Sequence, residues 1–168
     1  MADPPRYRVL FLCTGNSARS ILGEAILNRL GAPRFEAFSA GSQPKGAVNP
    51  AALRLLERLG HPVAALRSKS WDEFAAPGAP VIDIIITVCA SAAGEVCPIW
   101  PGHPTTAHWG LEDPAAVVGD IAAIDAAFLR TFAALSARIG DLVSASDEDL
   151  SAANRARLLA RVHAAHPE

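Results

Sequence analysis

Val9-Leu10-Phe11-Leu12-Cys13-Thr14-Gly15-Asn16-Ser17-Ala18-Arg19-Ser20 decides the fold, because an apolar run ends there and the helical pattern Ile21, Leu22, Ala25, Ile26 begins. A cysteine therefore sits on a strand-to-helix turn. With five residues between Cys13 and Arg19, the backbone of Thr14, Gly15, Asn16, Ser17 and Ala18 can curl so that its N–H groups face one anion, and the Arg19 guanidinium closes the ring. Inward dipoles, a helix N-terminus and a fixed cation each favour the thiolate, so Cys13 is expected to be ionised at neutral pH. Gly15 suits a close backbone approach, Asn16 can brace the loop through its amide, and Ser20 is placed to donate to the sulfur. The plain alternative is a buried cysteine on an ordinary glycine-containing turn; the arginine and Ser20 at this spacing argue against it.

Strand and helix patterns alternate along the chain. Tyr7 to Leu12 reads as a buried strand, Ser17 to Leu30 as a helix stopped by Gly31 and Pro33, and Phe35 to Ala40 as a second strand. Asn49 as N-cap, Pro50 in the first turn, the face Leu53, Leu56, Leu59, and Gly60 with Pro62 beyond mark a second helix. Ser70-Trp71-Asp72-Glu73 has the form of a capping box on a short helix ended by Pro77. Val81 to Val88 reads as a central strand, followed by a loop from Cys89 to Pro104 and a short strand near Thr105 to Trp109. Ile124, Phe128, Phe132, Leu135, Ile139 and Leu142 recur on one face of a long helix. Such alternation gives an α/β fold with a parallel sheet and right-handed crossovers. Residues 144–168 form a polar break and then a helix bearing Leu158, Leu159 and Val162, which either caps the core or mediates self-association.

At 168 residues the chain suits one filled core, so residues 1–168 are read as a single domain with 144–168 as a C-terminal helical extension. No apolar run reaches membrane-spanning length, and Met1 to Arg8 lacks a signal-peptide core, so a cytoplasmic location is the expectation. A net charge of −2 offers no global attraction to nucleic acid. Three cysteines without a C-x2-C pair or zinc-like histidine spacing point to catalytic or redox chemistry rather than a disulfide framework. His61, His103 and His108 have no mutual ligand spacing, and Lys69 reads as a solvated charge.

The stretch VLFLCTGNSARS resembles the signature loop of the low-molecular-weight protein tyrosine phosphatase fold, which includes a class of arsenate reductases. Cys97-Pro98-Ile99-Trp100-Pro101 and His108-Trp109-Gly110-Leu111-Glu112-Asp113-Pro114 resemble the C-P-x-x-P and H-W-G-x-x-D-P segments of the thioredoxin-coupled arsenate reductases in that family. Taken together, the likeness spans about residues 7 to 143. It implies a three-layer sandwich with four parallel strands in the order 2-1-3-4 and helices on both faces. It also implies Cys13 as nucleophile, Arg19 as oxyanion binder, Ser20 as the thiolate's partner and Asp113 as the acid that protonates the departing oxygen. The bland alternative for Asp113 is a turn or N-cap aspartate.

In a 2-1-3-4 sheet the first and third strands are neighbours about 4.8 Å apart, so Cys13 and Cys89, at their C-terminal ends, come within disulfide range. Cys97 follows Cys89 across a segment of small residues and matches the third redox cysteine of the reductases. Seven residues separate Cys89 from Cys97, one more than in the best-known members, and Ala18 stands where some members carry a second loop cysteine. Alone, Cys89 would be a small buried hydrophobe and Cys97 a surface thiol.

The resemblance thus implies an arsenate reductase: Cys13 attacks arsenic, Cys89 attacks Cys13, and Cys97 then attacks Cys89 and presents a disulfide to thioredoxin, a glutaredoxin or a low-molecular-weight thiol. The chain would act as a monomer without metal or organic cofactor. Asn16, Glu24 and Ser39 resemble positions that hold potassium in some relatives, yet each is equally an ordinary helix or strand-end residue. Two rival readings stay open: a tyrosine or small-ester phosphatase, and a non-enzymatic redox or oxyanion sensor. Against the phosphatase, the places where this fold carries aromatics to stack on a phenol read Ala115-Ala116 and Gln43-Pro44-Lys45-Gly46.

Overall fold

The computed structural model describes residues 6–89 and 100–167. Four parallel strands, β1 (Tyr7–Leu12), β2 (Phe35–Ala40), β3 (Ile84–Thr87) and β4 (Thr105–His108), form one sheet in the order β2-β1-β3-β4. The helices are α1 (Arg19–Gly31), α2 (Pro50–Arg58), α3 (Asp72–Ala75), α4 (Ile121–Val143) and α5 (Arg155–Ala165), with a 3-10 turn at Pro114–Ala116. Central strands β1 and β3 are apolar because both their faces are covered: Val9, Leu10, Phe11 and Leu12, like Ile84, Ile85 and Ile86, are buried. The pleat sends Val9 and Phe11 into the cluster under α1 and α4, and Leu10 and Leu12 into the smaller cluster with Phe74 and Ile82.

The register fixes where the strands end. Leu12 pairs with Thr87, and the Val88 N–H donates to the Leu12 carbonyl at 2.9 Å. Cys13 and Cys89 therefore emerge side by side at the C-terminal edge of the sheet, where ligands of open α/β sheets bind.

Several local expectations shift. The strand expected over Val81 to Val88 contracts to Ile84–Thr87, since Asp83 turns to accept the Arg8 N–H. Helix α2 begins as expected, with Asn49 Oδ1 accepting from the Ala51 N–H at 2.9 Å. Its buried face is Ala51, Ala52, Leu55 and Leu56, whereas Leu59 lies at the C-cap and is exposed: so short a helix rests on alanines close to its neighbours. The capping box does not form. Ser70 Oγ accepts from the Asp72 N–H, but Glu73 turns away to Arg67, whose guanidinium makes a stronger, charge-assisted partner.

The C-terminal segment covers the core of its own chain. Leu158, Leu159 and Val162 join the main apolar cluster, and the fully buried Trp109 donates its indole N–H to the Leu159 carbonyl at 3.1 Å. Arg138 on α4, buried among apolar neighbours, donates to the carbonyls of Ala134 and His166 and to His163 Nδ1. An arginine in the middle of a helix gives no hint in the sequence that it will be a buried clamp.

Candidate active site

Cys13 leaves β1 with its N–H donating to the Ala40 carbonyl of β2, and the chain then wraps through Thr14 to Ala18 before α1 begins at Arg19. The Asn16 backbone has φ +44°, a left-handed kink that asparagine tolerates better than most residues. Its fully buried amide makes the expected brace in both directions, donating to Ser20 Oγ at 2.8 Å and accepting from the Lys69 N–H at 2.9 Å. Among the described residues the N–H groups of Asn16, Ser17 and Ala18 donate to no protein acceptor. Arg19 Nε is likewise buried without a partner. A ring of unsatisfied donors at the start of a helix is a site for an anion.

Arg19 is held from the far side of the cradle. One Nη donates to the Leu111 carbonyl at 2.9 Å, and the other lies 3.7 Å from Asp113 Oδ2. Asp113 carries two duties: its Oδ1 caps the 3-10 turn through the Ala115 N–H at 3.0 Å, while its carboxyl lines the cavity. That cavity, about 440 Å³, is lined by Cys13, Thr14, Arg19, Lys45, Cys89 and Asp113 among others. The structure thus brings both described cysteines, the arginine and the acid to one basin. Cys97 lies outside the described residues.

The two thiols are coupled. Cys89 Sγ accepts the Thr14 N–H at 3.3 Å and lies 3.7 Å from Thr14 Oγ1, and the Cys13 sulfur shares a hydrogen bond with it. That bond first, and burial second, push the Cys13 thiol above its ordinary range, while the Arg19 guanidinium and the Gly15 N–H pull it down. The expectation of a simple Cys13 thiolate is therefore corrected. The signature loop alone displays only the lowering dipoles; the raising partner arrives from β3, 76 residues away in the chain. The two thiols therefore titrate together rather than singly. Ser20 is fully buried, and its bond with Asn16 leaves its own hydroxyl proton to donate.

The potassium expectation fails on fit. Glu24 Oε1 already accepts from Ser39 Oγ at 2.6 Å and faces the Lys69 ammonium at 3.7 Å, while Asn16 Oδ1 is taken by the Lys69 N–H. Lys69 is buried, not solvated, and its Nζ also donates to the Arg67 carbonyl at 2.9 Å. Burial lowers the Lys69 pKa and raises that of Glu24, each opposed by the other's charge. The Lys69 ammonium thus faces Glu24, and Asn16 and Ser39 are engaged in hydrogen bonds of their own; among the described residues no group of three or more His, Cys, Asp or Glu is placed to hold a metal.

Of the histidines, His61 is buried edge-on to Phe132, and His108 Nδ1 is 2.8 Å from Thr87 Oγ1; among the described residues neither belongs to a metal cluster. Gly41 escaped the sequence reading. A Cβ there would stand 2.4 Å from the Thr14 carbonyl oxygen and 2.6 Å from that of Cys13, so the second strand passes directly beneath the cradle. Its only sequence signal was a glycine following a strand.

Comparison with known proteins agrees with this geometry. An arsenate reductase of Brevibacillus brevis is 39% identical over 107 residues, covering 64% of this chain and 76% of the relative. Among solved structures, the thioredoxin-dependent arsenate reductase of Corynebacterium glutamicum superposes with a TM-score of 0.61 at 25% identity, over 85% of this chain; the match spans 63% of that protein. A low molecular weight protein tyrosine phosphatase from T. tengcongensis superposes with a TM-score of 0.66 at 25% identity, over 82% of this chain and 98% of its own. The family model described as low molecular weight phosphotyrosine protein phosphatase matches residues 8–153. With that match covering most of the chain, and with the cradle, parallel sheet and acid loop in place, this protein belongs to the low molecular weight phosphotyrosine protein phosphatase family.

Proposed function

We propose that the protein is an arsenate reductase, and the observation that carries this reading is the second thiol. A phosphatase needs one sulfur in the cradle; here Cys89 stands beside Cys13, held by the Thr14 N–H. Arsenate is a tetrahedral oxyanion that fits the unsatisfied donors, and its arsenic accepts both a nucleophile and two electrons. The similarity to the arsenate reductases of Brevibacillus brevis and Corynebacterium glutamicum supports the same assignment.

In the proposed cycle Arg19 and the loop N–H groups hold arsenate, and the Cys13 sulfur passes its proton to an arsenate oxygen and bonds to arsenic while Asp113 protonates the departing hydroxide, releasing water. Ser20 donates to the Cys13 sulfur. Cys89 loses its proton to an arsenic-bound oxygen and attacks the Cys13 sulfur; the sulfur–arsenic bond breaks with its electron pair left on arsenic. Arsenate is thereby reduced to arsenite, and the two thiols are oxidised to a disulfide. Cys97 attacks Cys89, frees Cys13 and passes a disulfide to thioredoxin or another thiol donor. A reducing cytoplasm supplies that donor, and the apolar face of α5, buried on its own core, suits a monomer.

Steady-state assay with thioredoxin, its reductase and NADPH tests the reading. Arsenate-dependent NADPH consumption is expected, with Cys89→Ala abolishing it while slow hydrolysis of a phosphomonoester persists. Hydrolysis without reduction by the unaltered protein would make it a phosphatase.

A further inference from the structure

The loop after β2 holds a lysine that the proposed chemistry has not used. Gln43 N donates to the Thr14 carbonyl at 2.9 Å and Lys45 N to the Gly15 carbonyl at 3.0 Å. Ser68 Oγ ties the same place together, donating to the Gly15 carbonyl and accepting from the Gly46 N–H, each at 3.2 Å. Backbone bonds therefore fasten this loop to the cradle, so Lys45 is not a wandering surface lysine at its root.

Its stem lies along the cradle glycine. A Cβ on Gly15 would meet Lys45 Cε at 3.2 Å, Cγ at 3.4 Å and Cδ at 3.5 Å, and Lys45 lines the same cavity as Cys13 and Arg19. The other two cations around the cradle are each matched by a carboxylate, Arg19 by Asp113 and Lys69 by Glu24. Lys45 is exposed and has no ion-pair partner among the described residues.

The charge count gives this a purpose. A tetrahedral dianion entering the basin meets Arg19, whose charge already faces Asp113. The loop dipoles are then left to hold most of the anion's charge. The exposed Lys45 ammonium at the mouth supplies a further, unpaired positive charge, and its hydrocarbon stem lies over Gly15, where it narrows the mouth against the flat ring of an aryl ester.

We propose that Lys45 is a specificity-determining residue that recruits a bare tetrahedral dianion to the cradle and disfavours aryl esters. This rests on the oxyanion reading of the site, not on the electron relay. The test is calorimetric binding of inorganic phosphate, which the thiols cannot reduce, to the protein with Cys13 and Cys89 in the thiol form, at low and high salt. Lys45→Met keeps the stem and removes the charge; it is expected to weaken phosphate about fivefold at low salt, with the difference shrinking at high salt. Lys45→Arg is expected to bind close to the unaltered protein, and Lys45→Ala, which removes the stem from over Gly15, should raise the ratio of aryl phosphate hydrolysis to phosphate affinity above that of the methionine variant. Unchanged phosphate affinity in Lys45→Met at low salt, or equal weakening in Lys45→Arg, overturns the proposal. Because phosphate binding involves no electron transfer, loss of the reductase reading would leave this result standing, and the reverse also holds.

Discussion

The backbone N–H of Thr14 points at the sulfur of Cys89, 3.3 Å away, although Thr14 directly follows the other active-site cysteine. One loop thus positions both thiols: Cys13 by covalent connection and Cys89 by a hydrogen bond. The two strands that deliver them are neighbours in register, so the sulfurs meet without any movement of the sheet.

Since the bond with Cys89 is the foremost cause of the raised Cys13 pKa, removing that sulfur lowers it. For Cys89→Ala, the midpoint of the pH dependence of Cys13 alkylation by iodoacetamide should move to lower pH, and the rate at pH 7 should rise. An acid with a raised pKa is mostly protonated below it, so at neutral pH the variant carries more thiolate than the unaltered protein. A midpoint that stays in place would show that burial, not the neighbouring thiol, governs Cys13.

Gly41 tolerates no side chain. Both close contacts of an added Cβ are backbone oxygens of the cradle, which can move only by displacing the Cys13 loop. Gly41→Ala should abolish measurable phosphate binding by calorimetry, with destabilisation of about 1–3 kcal/mol in urea unfolding as the cost of overpacking.

The Lys69 ammonium faces the Glu24 carboxylate, while its backbone N–H satisfies the Asn16 oxygen. Exchanging sodium for potassium at constant ionic strength should leave turnover unchanged. Lys69→Met strands the buried Glu24 carboxylate and should cost about 3–5 kcal/mol in urea unfolding.

Arg138 fastens the last helix through carbonyl and histidine partners on α5 and beyond it. Arg138→Ala leaves those acceptors unmatched and should lower stability by about 2–4 kcal/mol. The fluorescence of Trp109, whose indole N–H is held by Leu159, should shift to the red at lower urea concentration than in the unaltered protein.

Local chemistry made a large part of this protein legible from its residues. The apolar run into Cys13, the Asn49-Pro50 helix start and the three-and-four spacing of Phe128 to Leu142 each depend on neighbours within a turn or a strand, and each appears in place. The grouping of Cys13, Arg19, Cys89 and Asp113 was anticipated through the signature segments, and the sheet order delivers it.

What only the tertiary structure decided are the properties set by partners distant in sequence. Cys13 reads as an acidic thiol until Cys89 arrives across β1 and β3 to hydrogen-bond its sulfur and raise its pKa. Lys69 reads as a solvated charge until folding buries it against Glu24, and the sequence does not show that Arg138 is buried and tied to α5. Hydrophobic periodicity and turn chemistry act over a few residues and are written in the order of the chain. Proton affinity and charge pairing depend on desolvation and on distance through space, and neither exists until the sheet has brought the strands together.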